Sequence, residues 1–268
     1  MEKLSVIKIG GNVIDNLQEL EKFLHDFSLI PGKKIVVHGG GKIATELGKK
    51  LGIETKMVDG RRITDEETLK LVTMVYAGLI NKNIVAKLQS LQCNAIGLTG
   101  ADANIIPAKK REVKDIDYGF VGDPENSKFN PEYSGQNSKF LLDAGLVPVI
   151  APITHDGKGN LLNTNADTIA SVIAVGLSSF YNVELIYCFE KNGVLGNPQQ
   201  EDSVIHFINS KKYEGLKNNG TVSGGMLPKL DNAFSALKQG VKKVFIGNSK
   251  YISEIVKGDS KAATLVEL

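Results

Sequence analysis

The chain is poor in cysteine, carries no excess of charge of either sign, and has no long hydrophobic run. Each absence narrows the reading. Cys93 and Cys188, the two cysteines, both lie inside apolar strand-like runs. Buried free thiols are therefore expected rather than a disulfide framework, which fits a reducing compartment. Acids and bases nearly cancel, 30 against 32, for a formal charge of +2, so there is no electrostatic footprint for nucleic acid. No apolar stretch reaches membrane-spanning length and no signal-peptide core follows Met1. A cytoplasmic chain without a membrane partner is expected. The sequon at Asn219-Gly220-Thr221 reads as chance on those grounds.

Several signatures of chemistry are also missing. Gly41-Lys42 is followed by Ile43, so no Walker A hydroxyl is available, and no G-x-G-x-x-G follows a strand. The four histidines (His25, His38, His155 and His206) have no metal-ligand spacing and read as structural. No repeat, low-complexity tract or long linker is visible. Lys109-Lys110-Arg111, the one compact basic run, reads as a solvated hairpin flank, with a polyanion patch as the other possibility.

What is present is alternation. Strands are expected at Leu4 to Ile9, Lys34 to Val37, Ala95 to Leu98, Val147 to Ala151, Val183 to Cys188 and Lys243 to Ile246. Helical patterns fall between them: one capped by Asp15 with Gln18, a long one opened by Thr64-Asp65-Glu66-Glu67 and running to about Leu91, and others after Ser134, from Asn165, from Ser210 and from Gly225. Residues 102–131 predict a β-hairpin and an irregular loop standing off the main sheet. The alternation implies a mostly parallel sheet covered on both faces, with ligands at the carboxyl ends of its strands. The chain is expected to form one domain over 1–268, with an N-terminal half to about 155 and a C-terminal half.

Glycine clusters mark those strand ends: Lys8-Ile9-Gly10-Gly11-Asn12, Val36-Val37-His38-Gly39-Gly40-Gly41 and Gly224-Gly225-Met226-Leu227-Pro228-Lys229. Free amides at such turns cradle anions, and Lys8 and Lys229 add full positive charge. Two cradles and two lysines exceed what one phosphate needs, and suggest phosphate moving between two molecules. Asp167, in the first turn after Asn163-Thr164-Asn165, is either an ordinary helix-start carboxylate or an acid that holds both ammonium groups. Arg61-Arg62 is either two solvated cations or a fork for a carboxylate.

The set KIGGN, VVHGGGK, DGRRITDEE, NTNADTIA and SGGMLPKLDNA resembles the amino acid kinase family over nearly the whole chain. The resemblance implies a three-layer αβα sandwich with a mostly parallel central sheet, binding an acylamino acid in its N-terminal half and ATP in its C-terminal half. It implies catalytic roles for Lys8, Asp167 and Lys229. Gly40, Gly41, Arg62 and Asn163 would then bind substrate. Gly10, Gly11, Glu190, Gly193, Val194, Leu195, Gly225 and Met226 would bind the nucleotide. It also implies Mg2+ carried in by ATP, no metal site of the protein's own, and a homodimer built through the N-terminal half, for which the long helix from Glu66 is the candidate contact. The expected reaction is phosphorylation of the side-chain carboxylate of N-acetyl-L-glutamate in arginine biosynthesis. N-succinyl-L-glutamate is the alternative substrate, with Lys42 or Arg61 supplying the extra contact. A non-catalytic amino-acid sensor of the same fold would be expected to lose one of Lys8, Asp167 or Lys229. Departures from the family pattern are Phe189-Glu190 before the Gly193 turn, Ala101, and Gly247-Asn248 at the end of the last strand. No extended helix precedes Met1–Lys8, so a plain dimer without arginine feedback is expected.

Overall fold

A computed structural model describes residues 1–58, 60–124, 135–222, 224–259 and 261–268. Its strands, numbered along the chain, begin with β1 (Lys3–Ile9) and β2 (Lys33–His38), then the short hairpin of β3 (Met57–Val58) with β4 (Arg61–Arg62) and the single strand β5 (Ala95–Leu98). The hairpins of β6 (Lys109–Lys110) with β7 (Gly122–Asp123) and of β9 (Ile153–His155) with β10 (Leu161–Asn163) flank β8 (Val147–Ile150). Last come β11 (Asn182–Phe189), β12 (Phe207–Ile208), β13 (Lys243–Asn248) and β14 (Ala263–Val266). Eight strands form one sheet in the order β12-β14-β13-β11-β1-β2-β8-β5. From β13 through β5 every neighbouring pair is parallel; β14 runs antiparallel to β13.

The chain leaves β1 toward β2 on one side and later returns to pair β11 on the other. Strand order therefore reverses at β1, and a crevice opens beyond its carboxyl end, where open α/β sheets bind ligands. Side chains alternate across the sheet. Leu4 and Val6 of β1 enter the core cluster that includes Ile169, Ile173, Leu230 and Phe234. Ile7 and Ile9 enter the opposite cluster, with Phe23, Phe27, Val72 and Ile84.

Helices supply those outer layers: α1 (Gly11–Asp15), α2 (Leu17–Ser28), α3 (Gly41–Lys50), α4 (Glu66–Thr73), α5 (Asn81–Ser90), α6 (Gln136–Asp143), α7 (Ala166–Leu177), α8 (Ser210–Asn218), α9 (Met226–Lys238) and α10 (Ile252–Val256). Among these described residues the result is a mixed α/β sandwich, as the alternation predicts. Three details differ from expectation. The first long helix is capped by Asn16, whose side chain accepts from the Gln18 and Glu19 amides, while Asp15 ends α1. The helix from Glu66 is capped by Asp65 and is interrupted between α4 and α5 by a π-helical segment, Met74–Ile80. The β3–β4 hairpin, the edge strands β12 and β14, and α10 have no counterpart in the sequence reading. Residues 125–131 of the expected irregular loop lie outside the described residues.

Candidate active site

Lys8 is the next even-numbered residue of β1 after Leu4 and Val6, so it faces the same layer, α7 and α9. It is the penultimate residue of its strand, at the crevice. An ammonium placed further down that face would be buried without water, at a cost of several kcal/mol. At the strand end it meets Asp167 of α7, with Lys8 Nζ 2.7 Å from Asp167 Oδ1. From α9, Lys229 Nζ donates to the other oxygen, Asp167 Oδ2, at 2.6 Å. The Lys229 contact is an aligned hydrogen bond; the Lys8 contact is a close ion pair without that alignment. Burial alone would push the Asp167 carboxyl up, but Lys8 and Lys229 outweigh it and hold the group down to about 2. The acid is therefore ionised at neutral pH and divides one negative charge between two cations.

Local sequence explains why α7 delivers Asp167 there. Asn165 caps the helix, its side-chain oxygen accepting from the Asp167 amide at 2.8 Å and the Thr168 amide at 3.2 Å. That fixes the first turn, and with it the aspartate. On α9, Pro228 falls inside the first turn, where its missing N–H has no intrahelical partner to lose.

Two glycine turns border the lysines. Gly10 stands where a Cβ would lie 3.6 Å from the Cys188 carbonyl and 3.9 Å from Lys8 Nζ. The second turn touches the first: the Gly39 amide donates to the Ile9 carbonyl at 3.2 Å. Gly40 has φ +148, and a Cβ there would fall 2.2 Å from Ile80 Cδ1, so this position requires glycine. The π-helical segment packs its Tyr76 and Ile80 against that glycine, and α5 then begins with Asn81. Asn81 Nδ2 reaches His38 Nε2 at 3.2 Å and the Val149 carbonyl at 2.9 Å. His38 Nδ1 lies 2.9 Å from the Gly39 carbonyl. This pairing suits a neutral imidazole, donating from Nδ1 and accepting at Nε2. Burial pushes the imidazole down to about 4, partly offset by the Gly39 carbonyl.

Arg62 is buried, so the solvated-cation alternative does not hold for it, whereas Arg61 is exposed. The Arg62 guanidinium donates from Nη2 to the Gly41 carbonyl at 2.8 Å and Thr45 Oγ1 at 2.9 Å, and from Nη1 to Thr55 Oγ1 at 2.9 Å. Three of its five N–H donors are thus committed to the protein. Asn163 Nδ2 donates to Thr64 Oγ1 at 3.0 Å, and Thr64 Oγ1 in turn donates to the Arg62 carbonyl at 3.2 Å. The structure therefore links Arg62, Gly41, Thr64 and Asn163 on one side of the crevice. Sequence reasoning missed Thr45, Thr55, Tyr76 and Asn81; none carries a local signal, because each acts by packing or hydrogen bonding to a residue distant in sequence.

The residues expected on the nucleotide side divide. Glu190 lines a cleft of about 230 Å³ with Asn12, Val13, Asn16, Phe189 and Asn248, at the carboxyl ends of β1, β11 and β13. Asn248 Nδ2 donates to the Glu190 carbonyl at 2.7 Å, so two of the departures from the family pattern meet. Val194 is in the core, and its amide donates to Thr264 Oγ1 at 2.8 Å. Gly193 packs on Thr264 and Val204. Gly193, Val194 and Leu195 do not line the Glu190 cleft. Gly225 precedes α9 in open space, and Met226 rests on the core. Among the described residues no group of three or more His, Cys, Asp or Glu side chains has a metal-holding arrangement.

Residues 3–248 match the model of the amino acid kinase family. A protein of Cytophaga hutchinsonii named acetylglutamate kinase is 56% identical over 265 residues, covering 98% of each chain. One of the same name from Phocaeicola vulgatus is 54% identical over 253 residues, 94% of this chain and 96% of that one. Among solved structures, N-acetylglutamate synthase from Neisseria gonorrhoeae, complexed with coenzyme A and N-acetyl-glutamate, superposes with a TM-score of 0.80 at 20% identity. It covers 100% of this chain and 59% of its own, a likeness of fold.

Proposed function

Because the chain belongs to the amino acid kinase family and matches acetylglutamate kinases along nearly its whole length, we propose that it phosphorylates N-acetyl-L-glutamate. The reaction moves the γ-phosphoryl group of ATP onto the side-chain carboxylate, giving the acyl phosphate of arginine biosynthesis. The observation that carries the chemistry is the Asp167 carboxylate shared by Lys8 and Lys229 at the strand-order reversal.

The nucleophile is a carboxylate that titrates near ~4.3, so it arrives ionised and needs no general base. Neutral, buried His38 agrees with that. The obstacle is charge: an anionic oxygen must approach an anionic phosphate. Lys8 and Lys229 supply positive charge on opposite sides of one acid, and Asp167 holds their ammonium groups apart and oriented until the reactants enter. Gly10 and Gly11 offer amides to the ATP phosphates; Gly40 and Gly41 do so on the acylamino-acid side. Arg62, with its remaining donors, meets the substrate α-carboxylate, and Asn163 holds the acylamino group. Glu190 borders the nucleotide. Mg2+, held by the nucleotide phosphates, supplies further neutralisation when bound. Cytoplasmic location and a homodimer through the Glu66–Ser90 region belong to the same proposal; Met74 and Leu79 are large apolar side chains exposed there.

Hydroxylamine trapping tests the reaction. With Mg-ATP and N-acetyl-L-glutamate the protein should yield an acyl hydroxamate, and N-succinyl-L-glutamate, assayed in parallel, should yield less. Lys8→Ala should lose ~3 kcal/mol of transition-state stabilisation, roughly a hundredfold in kcat, with its fold intact. ADP release without hydroxamate from any acylamino acid would overturn the proposal.

A further inference from the structure

We propose that the cleft between the Arg61 hairpin and the Lys109–Arg111 segment is a second ligand site, fitted for a small multivalent anion such as a polycarboxylate or a phosphorylated metabolite. The basic run, read from sequence as a solvated hairpin flank or a polyanion patch, lies on the β6–β7 hairpin with Lys109 and Lys110 exposed, and it borders a concave surface. Lys109, Lys110 and Arg111 line a cleft of about 710 Å³ together with Arg61, Lys114 and Tyr118. None of Lys8, Asp167, Lys229 or the glycine turns lines it.

The charges are unevenly spent. Arg111 is committed to Asp123, its Nε 2.9 Å from Asp123 Oδ2, and Lys109 is engaged in a contact of its own. Arg61, Lys110 and Lys114 have no carboxylate partner among the described residues; Lys110 lies over the Phe120 ring, 4.6 Å from its centroid. Glu112 and Asp115 share the lining, so a singly charged anion gains little there. A ligand with two or more negative charges engages several cations at once and outweighs the two acids.

The walls of this cleft are also the supports of the candidate active site. Arg61 is the strand neighbour of Arg62, which bonds the Gly41 carbonyl. The Tyr118 carbonyl accepts from the Thr64 amide at 2.9 Å, and the Phe120 carbonyl accepts from the Asn163 amide at 2.9 Å. A ligand that orders this wall therefore acts on the placement of Arg62 and Asn163, and should change the KM for the acylamino acid. That last consequence rests on the proposed function; the binding itself does not.

Isothermal titration of the full chain at fixed ionic strength tests it, with citrate in one arm and inorganic pyrophosphate in the other. The expected result is one saturable equivalent for at least one anion. It should persist in Lys229→Ala and weaken tenfold or more in Lys110→Ala/Lys114→Ala, whose fold is checked by circular dichroism. The tighter arm identifies the carboxylate or phosphate class. Absence of saturable binding in both arms would overturn the site. So would binding abolished by Lys229→Ala and untouched by the double variant, which would put the anion at the lysine pair. A raised KM in the double variant without saturable anion binding would make the wall an approach route only, and would overturn it equally.

Discussion

At the residue scale, the Lys8 and Lys229 ammonium groups reach the Asp167 carboxylate from two different elements, β1 and α9. Lys8, Asp167 and Lys229 lie beside glycine turns and a helix start, so strand and helix periodicity alone puts them near one edge of the sheet. That the two ammonium groups take opposite oxygens of one carboxylate is a matter of packing between α7 and α9, which no local pattern encodes. His38 shows the reverse case. Read as structural, it is fully buried, and it bonds the Gly39 carbonyl in the glycine turn after β2. Its imidazole is pushed down to about 4 by burial, against ~6.5 in an unfolded chain. Between those values the unfolded state binds a proton that the folded state refuses. This group's contribution is complete above ~6.5 and falls as pH drops toward 4, by about 3 kcal/mol in all. Urea unfolding at pH 7 and pH 4.5 should show a pH slope in the native chain that is shallower in His38→Asn by about 2 kcal/mol. Identical slopes would show that His38 does not titrate in this way.

At the scale of elements, helix caps were where pattern and structure parted. Asp15 with Gln18 satisfies a capping spacing, but the chain uses Asn16, one residue on, because Gly11–Asp15 is already helical. Thr64 belongs to a capping spacing too, and is instead drawn into the Arg62–Asn163 linkage while Asp65 caps. Spacing shows that a cap is near; tertiary partners decide which oxygen serves. At α7 expectation and structure agree within a residue, and the cap fixes the turn that carries Asp167. Asn165→Ala should cost about 1 kcal/mol, a fall in Tm of roughly 2–4 °C for a chain of this size. Because the cap also holds the Asp167 amide, kcat should fall roughly tenfold or more, beyond what the modest loss of stability explains. A normal kcat at a lowered Tm would confine Asn165 to stability. The π-helical segment was not legible, since its wider turn shows only as a run of four-residue apolar spacings, Tyr76, Ile80, Ile84 and Leu88, which a short α-helical stretch also contains.

At the scale of the molecule, the parallel core of the sheet was legible because each buried strand is an apolar run of its own. The edge was not. The two-residue β12 is set by a partner more than fifty residues away, the reversed β14 turns back on the preceding strand β13, and direction of pairing leaves no periodic trace. The same limit applies to assembly. If Met74 and Leu79 sit in a subunit contact, light scattering should give about twice the 28.9 kDa chain mass, and Met74→Asp/Leu79→Asp should return it to monomer with its fold kept. A wild-type mass of one chain would remove the dimer.

The placement of Lys8 in β1 has a consequence for how the molecule can fail. Were the central strand threaded one residue out of step, an isoleucine would arrive at the crevice and the ammonium would be driven into the oil of the opposite layer. On the proposed role of Lys8, turnover and correct threading are a single event. A mis-registered molecule would then be silent rather than weakly active, and the specific activity of a preparation would count its properly folded fraction.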